Sequence, residues 1–286
     1  MDLPFTKMHG LGNDFMVING IDHPVRLTAD VIQKWSNRHF GLGFDQLLLV
    51  ESPIDPAVDF KYRIFNADGS EVAQCGNGAR CFAVFVRKEG LTDKTEIRVE
   101  TNSGILVLRI QGDEQVEVDM GVPEFHPEKI PFVAEQLMDR YTLSIDNQEV
   151  EIGAVSVGNP HAVLMVNNIE QAPVNDWGPL IESHPRFPER VNAGFMQILD
   201  QQHVLLRVYE RGAQETLACG SGACAAVAVG IQQGVLANTV NVKLPGGDLA
   251  IRWLGDGHPI LMAGPATIVF EGTVKYDSEK TKTTIR

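Results

Sequence analysis

Two short phrases hold all four cysteines of this 286-residue chain. The first is Gln74-Cys75-Gly76-Asn77-Gly78-Ala79-Arg80-Cys81 and the second Ala218-Cys219-Gly220-Ser221-Gly222-Ala223-Cys224. Each sets a Cys before a Gly-x-Gly turn leading into a stretch apolar on all sides, predicted as a buried helix over 78–88 and 222–233. A thiol at such a helix start lies near the positive end of the dipole, which predicts a pKa lowered from about 8.5. The turns leave N–H groups of Gly76, Asn77 and Gly78, and of Gly220, Ser221 and Gly222, without helical acceptors, and such groups hold a carboxylate. Two such units face to face would put one sulfur on each side of the carbon beside a bound carboxylate. One thiolate then removes the α-proton and the opposite thiol delivers another to the other face. The centre inverts without a pyridoxal or metal electron sink, while the N–H groups stabilise charge developing on the carboxylate. One sulfur must be S⁻ and the other SH, so the pair is expected to titrate in two coupled steps, biased by Glu210 and His161.

The elements that must position these cysteines come in two copies. Cys75 and Cys219 are 144 positions apart (219 − 75), and other landmarks recur at nearly that spacing. Gly12-Asn13 matches Gly158-Asn159, Gln46 matches Asn192, and Asn66 matches Glu210. Four landmarks in one order at a near-constant offset, too long for a solenoid, predict two related domains from an internal duplication. Singly, Asn13, Gln46, Asn66, Asn159 and Asn192 read as turn residues; as paired landmarks they read as amide groups lining a cleft. Glu210-Arg211, at a strand end ahead of the second cysteine phrase, reads as substrate-facing rather than as a surface ion pair. His161, two residues after Asn159, is assigned a role beside it. Cys81 and Cys224, on helix interiors, read as packing.

Strands are predicted over 15–19, 47–50, 62–66, 97–100, 105–110 and 115–120 in the first half. The second half offers 150–157, 162–166, 196–199, 204–210, 240–244, 250–253 and 267–275. A further helix is predicted over 29–38 with Thr28 as N-cap, and Gly90 and Gly234 mark helix ends. Pro123, Pro127 and Pro131 mark a connection between halves, and the polar tail over 277–286 is expected to be mobile. The domains are placed at 1–119 plus 265–286, carrying Cys75, and at 120–264, carrying Cys219.

A formal charge of −13 argues against nucleic acid as a partner. No apolar run is long enough for a membrane span, and the first residues lack a signal-peptide pattern, so a soluble cytoplasmic protein is expected. Four cysteines in so long a chain do not make a disulfide framework. A zinc or thiol-binding protein is the rival from another class. The five residues between Cys75 and Cys81, the four between Cys219 and Cys224, and the lack of His in either phrase do not fit a zinc-ribbon spacing. The Gly-x-Gly turns also brush against a dinucleotide fingerprint, but Gln214-Glu215-Thr216-Leu217 is a poor preceding strand.

Met8-His9-Gly10-Leu11-Gly12-Asn13-Asp14-Phe15, Asn66-Ala67-Asp68-Gly69-Ser70, the two cysteine phrases, Gly158-Asn159-Pro160-His161 and Glu210-Arg211-Gly212 together resemble the diaminopimelate epimerases, over about 7–276. The resemblance implies a pseudo-symmetric pair of α/β (α+β) domains, each a curved, mostly antiparallel sheet or barrel around a central helix. It implies a cofactor-independent interconversion of LL- and meso-diaminopimelate in lysine and peptidoglycan precursor synthesis, with no metal. Carried over, Cys75 and Cys219 are the acid/base pair, and Gly76-Asn77 and Gly220-Ser221 hold the reacting carboxylate. Asn13, Gln46, Asn66, Asn159, Asn192, Glu210 and Arg211 recognise the amino and carboxylate groups of the substrate, including those at the distal centre, and His161 and Glu210 tune the cysteines. A homodimer is implied too; Phe270 stands where the family often has Tyr, so that hydroxyl contact is absent. A proline-racemase-like enzyme is the nearest alternative, whereas a phenazine-type isomerase would normally lack both cysteines.

Overall fold

The computed structural model describes residues 1–72, 75–112 and 114–276. The tail over 277–286, predicted as mobile, lies outside them. The chain forms two compact units, Met1–Val118 with Pro265–Arg286, and Asp119–Gly264.

The first unit runs β1 Asp2–Gly10, β2 Asn13–Asn19, α1 Ala29–Ser36, β3 Gln46–Glu51, β4 Phe60–Asn66, β5 Glu71–Val72, α2 Gly76–Lys88, β6 Glu96–Thr101, β7 Gly104–Ile110 and β8 Gln115–Asp119. The second runs β9 Tyr141–Ile145, β10 Gln148–Ser156, β11 Pro160–Met165, α3 Val174–Glu182, β12 Asn192–Asp200, β13 His203–Glu210, β14 Gln214–Glu215, α4 Gly220–Gln232, β15 Thr239–Leu244, β16 Gly247–Arg252 and β17 Leu261–Pro265. The last strand, β18 Thr267–Lys275, returns to the first unit and pairs antiparallel with β1.

The pairings repeat element by element. Antiparallel β1–β2 corresponds to β10–β11, parallel β2–β3 to β11–β12, and antiparallel β3–β4 to β12–β13. Parallel β4–β6 corresponds to β13–β15, followed by antiparallel β6–β7–β8 and β15–β16–β17. Helices fall at the same points, α1 and α3 between the parallel partners and α2 and α4 after the short strands β5 and β14. Each unit is thus mixed α+β, with a mostly antiparallel sheet.

Strand periodicity explains how each sheet serves two helices. In β3, Leu47, Leu48, Leu49 and Val50 are all buried, the continuous apolar run of a strand covered on both faces. Leu47 and Leu49 pack with Met16, Ile18 and the α1 residues Ile32 and Trp35. Their neighbours Leu48 and Phe15 point the other way, toward Gly78 of α2. In the second unit, Leu164, Ala193 and Phe195 pack with Val174 and Ile181 of α3, while Gly222 and Val229 of α4 lie against Val208 and Gly153. The central helices are wrapped accordingly, with ten consecutive buried residues from Asn77 to Val86 in α2 and nine from Gly222 to Gly230 in α4.

Both central helices end alike. Gly90 and Gly234 take φ of 69° and 71°. The Leu91 and Val235 amides reach back to Val86 and Gly230 carbonyls, and Gly90 and Gly234 donate to Arg87 and Ile231. This 6→1, 5→2 closure requires the left-handed residue that glycine supplies.

Several elements differ from the sequence expectation. The helices begin at Gly76 and Gly220, two residues before 78 and 222, so each cysteine is itself the N-cap. Thr28 occupies the N-cap position of α1 but its side chain makes no capping bond, and α1 stops at Ser36 rather than 38. Helix α3 and strands β1, β5, β9, β14 and β17 were not expected, and Pro127 opens a 3₁₀ turn, Pro127–Lys129.

Candidate active site

In the first unit, Cys75 precedes α2, and its carbonyl takes the first helical hydrogen bond from Ala79 N at 2.8 Å. The Gly76, Asn77 and Gly78 amides therefore form the first turn of the helix, at the positive end of its dipole. Cys75 is half-buried, and its Sγ lies 3.8 Å from Asn13 Oδ1. That oxygen also accepts from Asn77 Nδ2 at 3.3 Å, and Asn77 Oδ1 accepts from Arg80 Nη2 at 3.0 Å. Arg80 is fully buried and donates through Nε to the Pro265 carbonyl at 3.0 Å. The Asn13 amide is oriented from its other end, where Nδ2 donates to Asp45 Oδ2 at 3.1 Å. Asp45 and Asp14 share Arg38, and Lys7 donates to Asp14 at 2.6 Å. Burial raises the Asp14 carboxyl, but Arg38 and Lys7 outweigh it and hold Asp14 well below the usual carboxylate range.

Gln46 and Asn66 are cross-strand partners on β3 and β4, with Gln46 Nε2 donating to Asn66 Oδ1 at 2.9 Å. Tyr62, which the sequence reading passed over, donates through Oη to the Cys75 carbonyl at 3.3 Å. Its alternating place on β4 turns it toward α2, and burial pushes its phenol well above the ordinary value, with Cys75 and Cys81 adding to the rise. Cys81 is fully buried in α2, its thiol pushed up to about 12 by burial, and Cys224 is fully buried in α4.

In the second unit, Cys219 precedes α4 and Ala223 N closes onto its carbonyl at 3.0 Å. Its sulfur caps the helix, accepting from Gly222 N at 3.3 Å, and lies 3.6 Å from Ser221 Oγ. Ser221 Oγ is also 3.1 Å from His161 Nε2, which is 3.1 Å from Asn159 Oδ1. Buried His161 has its pKa lowered to about 3, first by burial and then by Arg211, so it is neutral. Glu210 ends β13 and accepts from Thr216 Oγ1. Burial raises its carboxyl above the ordinary value, with Thr216 and then Cys219 opposing the rise.

Here the expected pKa direction is corrected. The Cys219 thiol is pushed well above its ordinary value, first by burial and then by Glu210, against lowering by Ser221 and Gly222. The helix start supplies its amide, but loss of water outweighs it. Asn192 is 3 % exposed, and both ends of its amide meet backbone: Nδ2 donates to Pro160 O at 3.2 Å and Oδ1 accepts from Arg211 N at 2.8 Å. Asn192 therefore braces the Arg211 turn. Arg211 donates through Nη1 to Glu189 O at 3.0 Å.

Among the described residues, no group of three or more His, Cys, Asp or Glu is arranged to hold a metal ion, and no helix is long and apolar enough to cross a membrane. A separate concavity of about 300 Å³ in the second unit, lined by Arg140, Glu151, Met165, Trp177 and Gln233 among others, includes none of these site residues.

The duplicated α+β fold is shared with several solved structures. The phenazine biosynthesis protein of the PhzF family from Bacillus anthracis aligns over 96% of this chain and 100% of its own, with TM-score 0.68 at 18% identity. A hydroxyproline epimerase from Agrobacterium vitis, bound to trans-4-hydroxy-L-proline, aligns over 96% and 92%, with TM-score 0.68 at 15% identity. A predicted epimerase from Pseudomonas aeruginosa aligns over 96% and 100%, with TM-score 0.70 at 16% identity. Residues 5–126 and 153–269 match the profile of the diaminopimelate epimerases. The chain belongs to the diaminopimelate epimerase family, and this membership supports an isomerase.

Proposed function

We propose that the protein interconverts LL- and meso-diaminopimelate by two-base proton transfer, with Cys75 and Cys219 acting on opposite faces of one α-carbon. The observation that carries this reading is the repeated N-cap cysteine: each sulfur-bearing residue stands at the N-terminus of a buried helix, where backbone amides point outward along the axis. A carboxylate on those amides has its α-carbon next to a thiol. The thiolate takes the α-proton, the C–H electron pair delocalises onto the carboxylate, and the amides stabilise the added charge. The other thiol then gives its proton to the opposite face, so one S–H is lost as another forms. No further electron sink is required.

Unlike surroundings support different states for the two sulfurs. Cys219 has Glu210, Ser221 and Gly222 as neighbours; Cys75 has Asn13. Glu210 and Arg211 favour a substrate with a second charged end over a proline-like one, and family membership points to diaminopimelate. Lysine and peptidoglycan precursor synthesis is the setting this implies.

The test is incubation of the reduced protein with LL-diaminopimelate in deuterated water. Deuterium should enter at one α-carbon as the meso form appears, and both Cys75→Ala and Cys219→Ala should abolish turnover. Exchange into proline or hydroxyproline without exchange into diaminopimelate would shift the reading to the proline-racemase type. No exchange into any of these amino acids would sink it.

A further inference from the structure

Helices α1 and α3 occupy matched places, each joining the parallel strands of its own repeat. Each has one buried polar residue in its last turn, Ser36 in α1 at 9 % exposure and Glu182 in α3 at 7 %. The two are 146 positions apart (182 − 36), the offset that relates Asn13 to Asn159 and Gln46 to Asn192. Both reach the turn after the next two strands. Ser36 Oγ donates to Ala67 O at 3.0 Å, one residue past Asn66. The Glu182 carboxylate accepts from Gly212 N at 2.9 Å, two residues past Glu210. The turns themselves close alike, Gly69 N onto Asn66 O and Ala213 N onto Glu210 O.

The device is the same but its polarity is reversed. Neutral donors hold the Asn66 turn through its carbonyls, with Gln33 Nε2 adding a bond to Asp68 O at 2.7 Å. An anion holds the Glu210 turn through its amide. Gly178 allows α3 to lie this close: an added Cβ there would come within 2.5 Å of Tyr209 Cγ, the residue before Glu210.

The plain alternative makes Glu182 a helix-end carboxylate paired with Arg190, 3.2 Å away. Helix energetics argue against that as its main role. A carboxylate in the last turn opposes the helix dipole, and Glu182 shares the buried face of α3 with Val174, Gly178 and Ile181. A buried acid is retained there at a cost unless it is hydrogen-bonded. What it bonds is the second of two successive amides, Arg211 N being fixed by Asn192 and Gly212 N by Glu182.

We propose that Glu182 is a positioning residue for Arg211, fixing the Glu210–Gly212 turn so that the guanidinium meets the second charged end of the substrate. This rests on the function proposed above. Its mark is on binding rather than on proton transfer.

The test compares Glu182→Ala and Glu182→Gln with wild type in two measurements. Amide hydrogen exchange on the protein without substrate should show Gly212 N–H exchanging roughly tenfold faster or more in Glu182→Ala and near wild type in Glu182→Gln, which keeps an acceptor oxygen. With LL-diaminopimelate, Glu182→Ala should raise KM roughly tenfold or more while kcat stays within about threefold, and Glu182→Gln should restore KM. If Glu182→Ala fails to fold, Glu182→Ser is measured in its place. Unchanged Gly212 exchange, or a kcat loss at constant KM, overturns the proposal. If wild type does not turn over diaminopimelate, the functional reading fails, and the hydrogen exchange still decides whether Glu182 holds the turn.

Discussion

The Cys219 sulfur accepts a hydrogen bond from the Gly222 amide 3.3 Å away. Toward Asn13 the Cys75 thiol is the donor across 3.8 Å, since Asn13 Oδ1 only accepts. Two residues in the same place of a repeated fold therefore meet different partners. Burial and Glu210 then add a rise at Cys219.

These surroundings predict unequal reactivity toward iodoacetamide in the protein without substrate. The thiolate is the reactive form. Half-buried Cys75 should be carboxamidomethylated first, and Cys219, 4 % exposed with its thiol pushed up, should lag. Glu210→Gln removes the charge that opposes the Cys219 thiolate, so the Cys219 rate near pH 8 should rise, by about threefold for each half unit that its pKa falls. Peptide mass spectrometry over time reads both sites. Equal labelling of the two cysteines in wild type, or no acceleration of Cys219 in Glu210→Gln, would contradict this account.

His161 makes a second prediction, with a definite sign. Its pKa lies at about 3 in the folded protein against 6.5 ordinarily. Between those values the unfolded chain binds the proton and the folded one does not. Stability from this group is therefore complete above about pH 6.5 and falls as pH drops toward about 3, by at most about 1.4 kcal/mol per unit. Urea unfolding at about pH 7 and about pH 5 should show a smaller acid loss in His161→Asn than in wild type. Equal losses would mean that folded His161 accepts a proton freely.

The sequence made legible those parts of the site that depend on residue type at a fixed spacing. Cys75 and Cys219, the helix starts they cap, and the pairings of Asn13 with Asn159 and Gln46 with Asn192 all rest on a repeat visible in the chain, and the strand pairings follow that repeat. Helix α3 stayed hidden because Gly178 and Pro179 lower local helix propensity, which packing on Tyr209 overrides. The pKa of Cys219 went the other way because a dipole can be inferred from sequence order, whereas the extent of burial cannot. Arg80 stood inside a quoted motif, yet its bond to the carbonyl of Pro265 joins segments 185 positions apart. Ser36 and Glu182 lay within reach, since the 146-residue offset relates them; what no spacing could show was the turn each one holds.

Tyr62 supplies the final prediction. Its Oη donates to the carbonyl of Cys75, and a Cβ added at Gly78 would overlap that same Oη. Gly78→Ala therefore forces either Tyr62 or the start of α2 to move, and overpacking of this kind costs roughly 1–3 kcal/mol. Gly would otherwise gain from the change, since Ala is the better helix former by about 1 kcal/mol, so a net loss of stability isolates the clash. In Tyr62→Phe/Gly78→Ala the overlapping oxygen is gone. Stability should recover by more than the two single changes predict together, a positive coupling measurable by a double-mutant cycle. Turnover should not recover with it, because the Cys75 carbonyl has lost the donor that fixes the cap. Additive effects on stability would show that Gly78 and Tyr62 act separately, and full recovery of turnover would show that the tyrosine does not position Cys75.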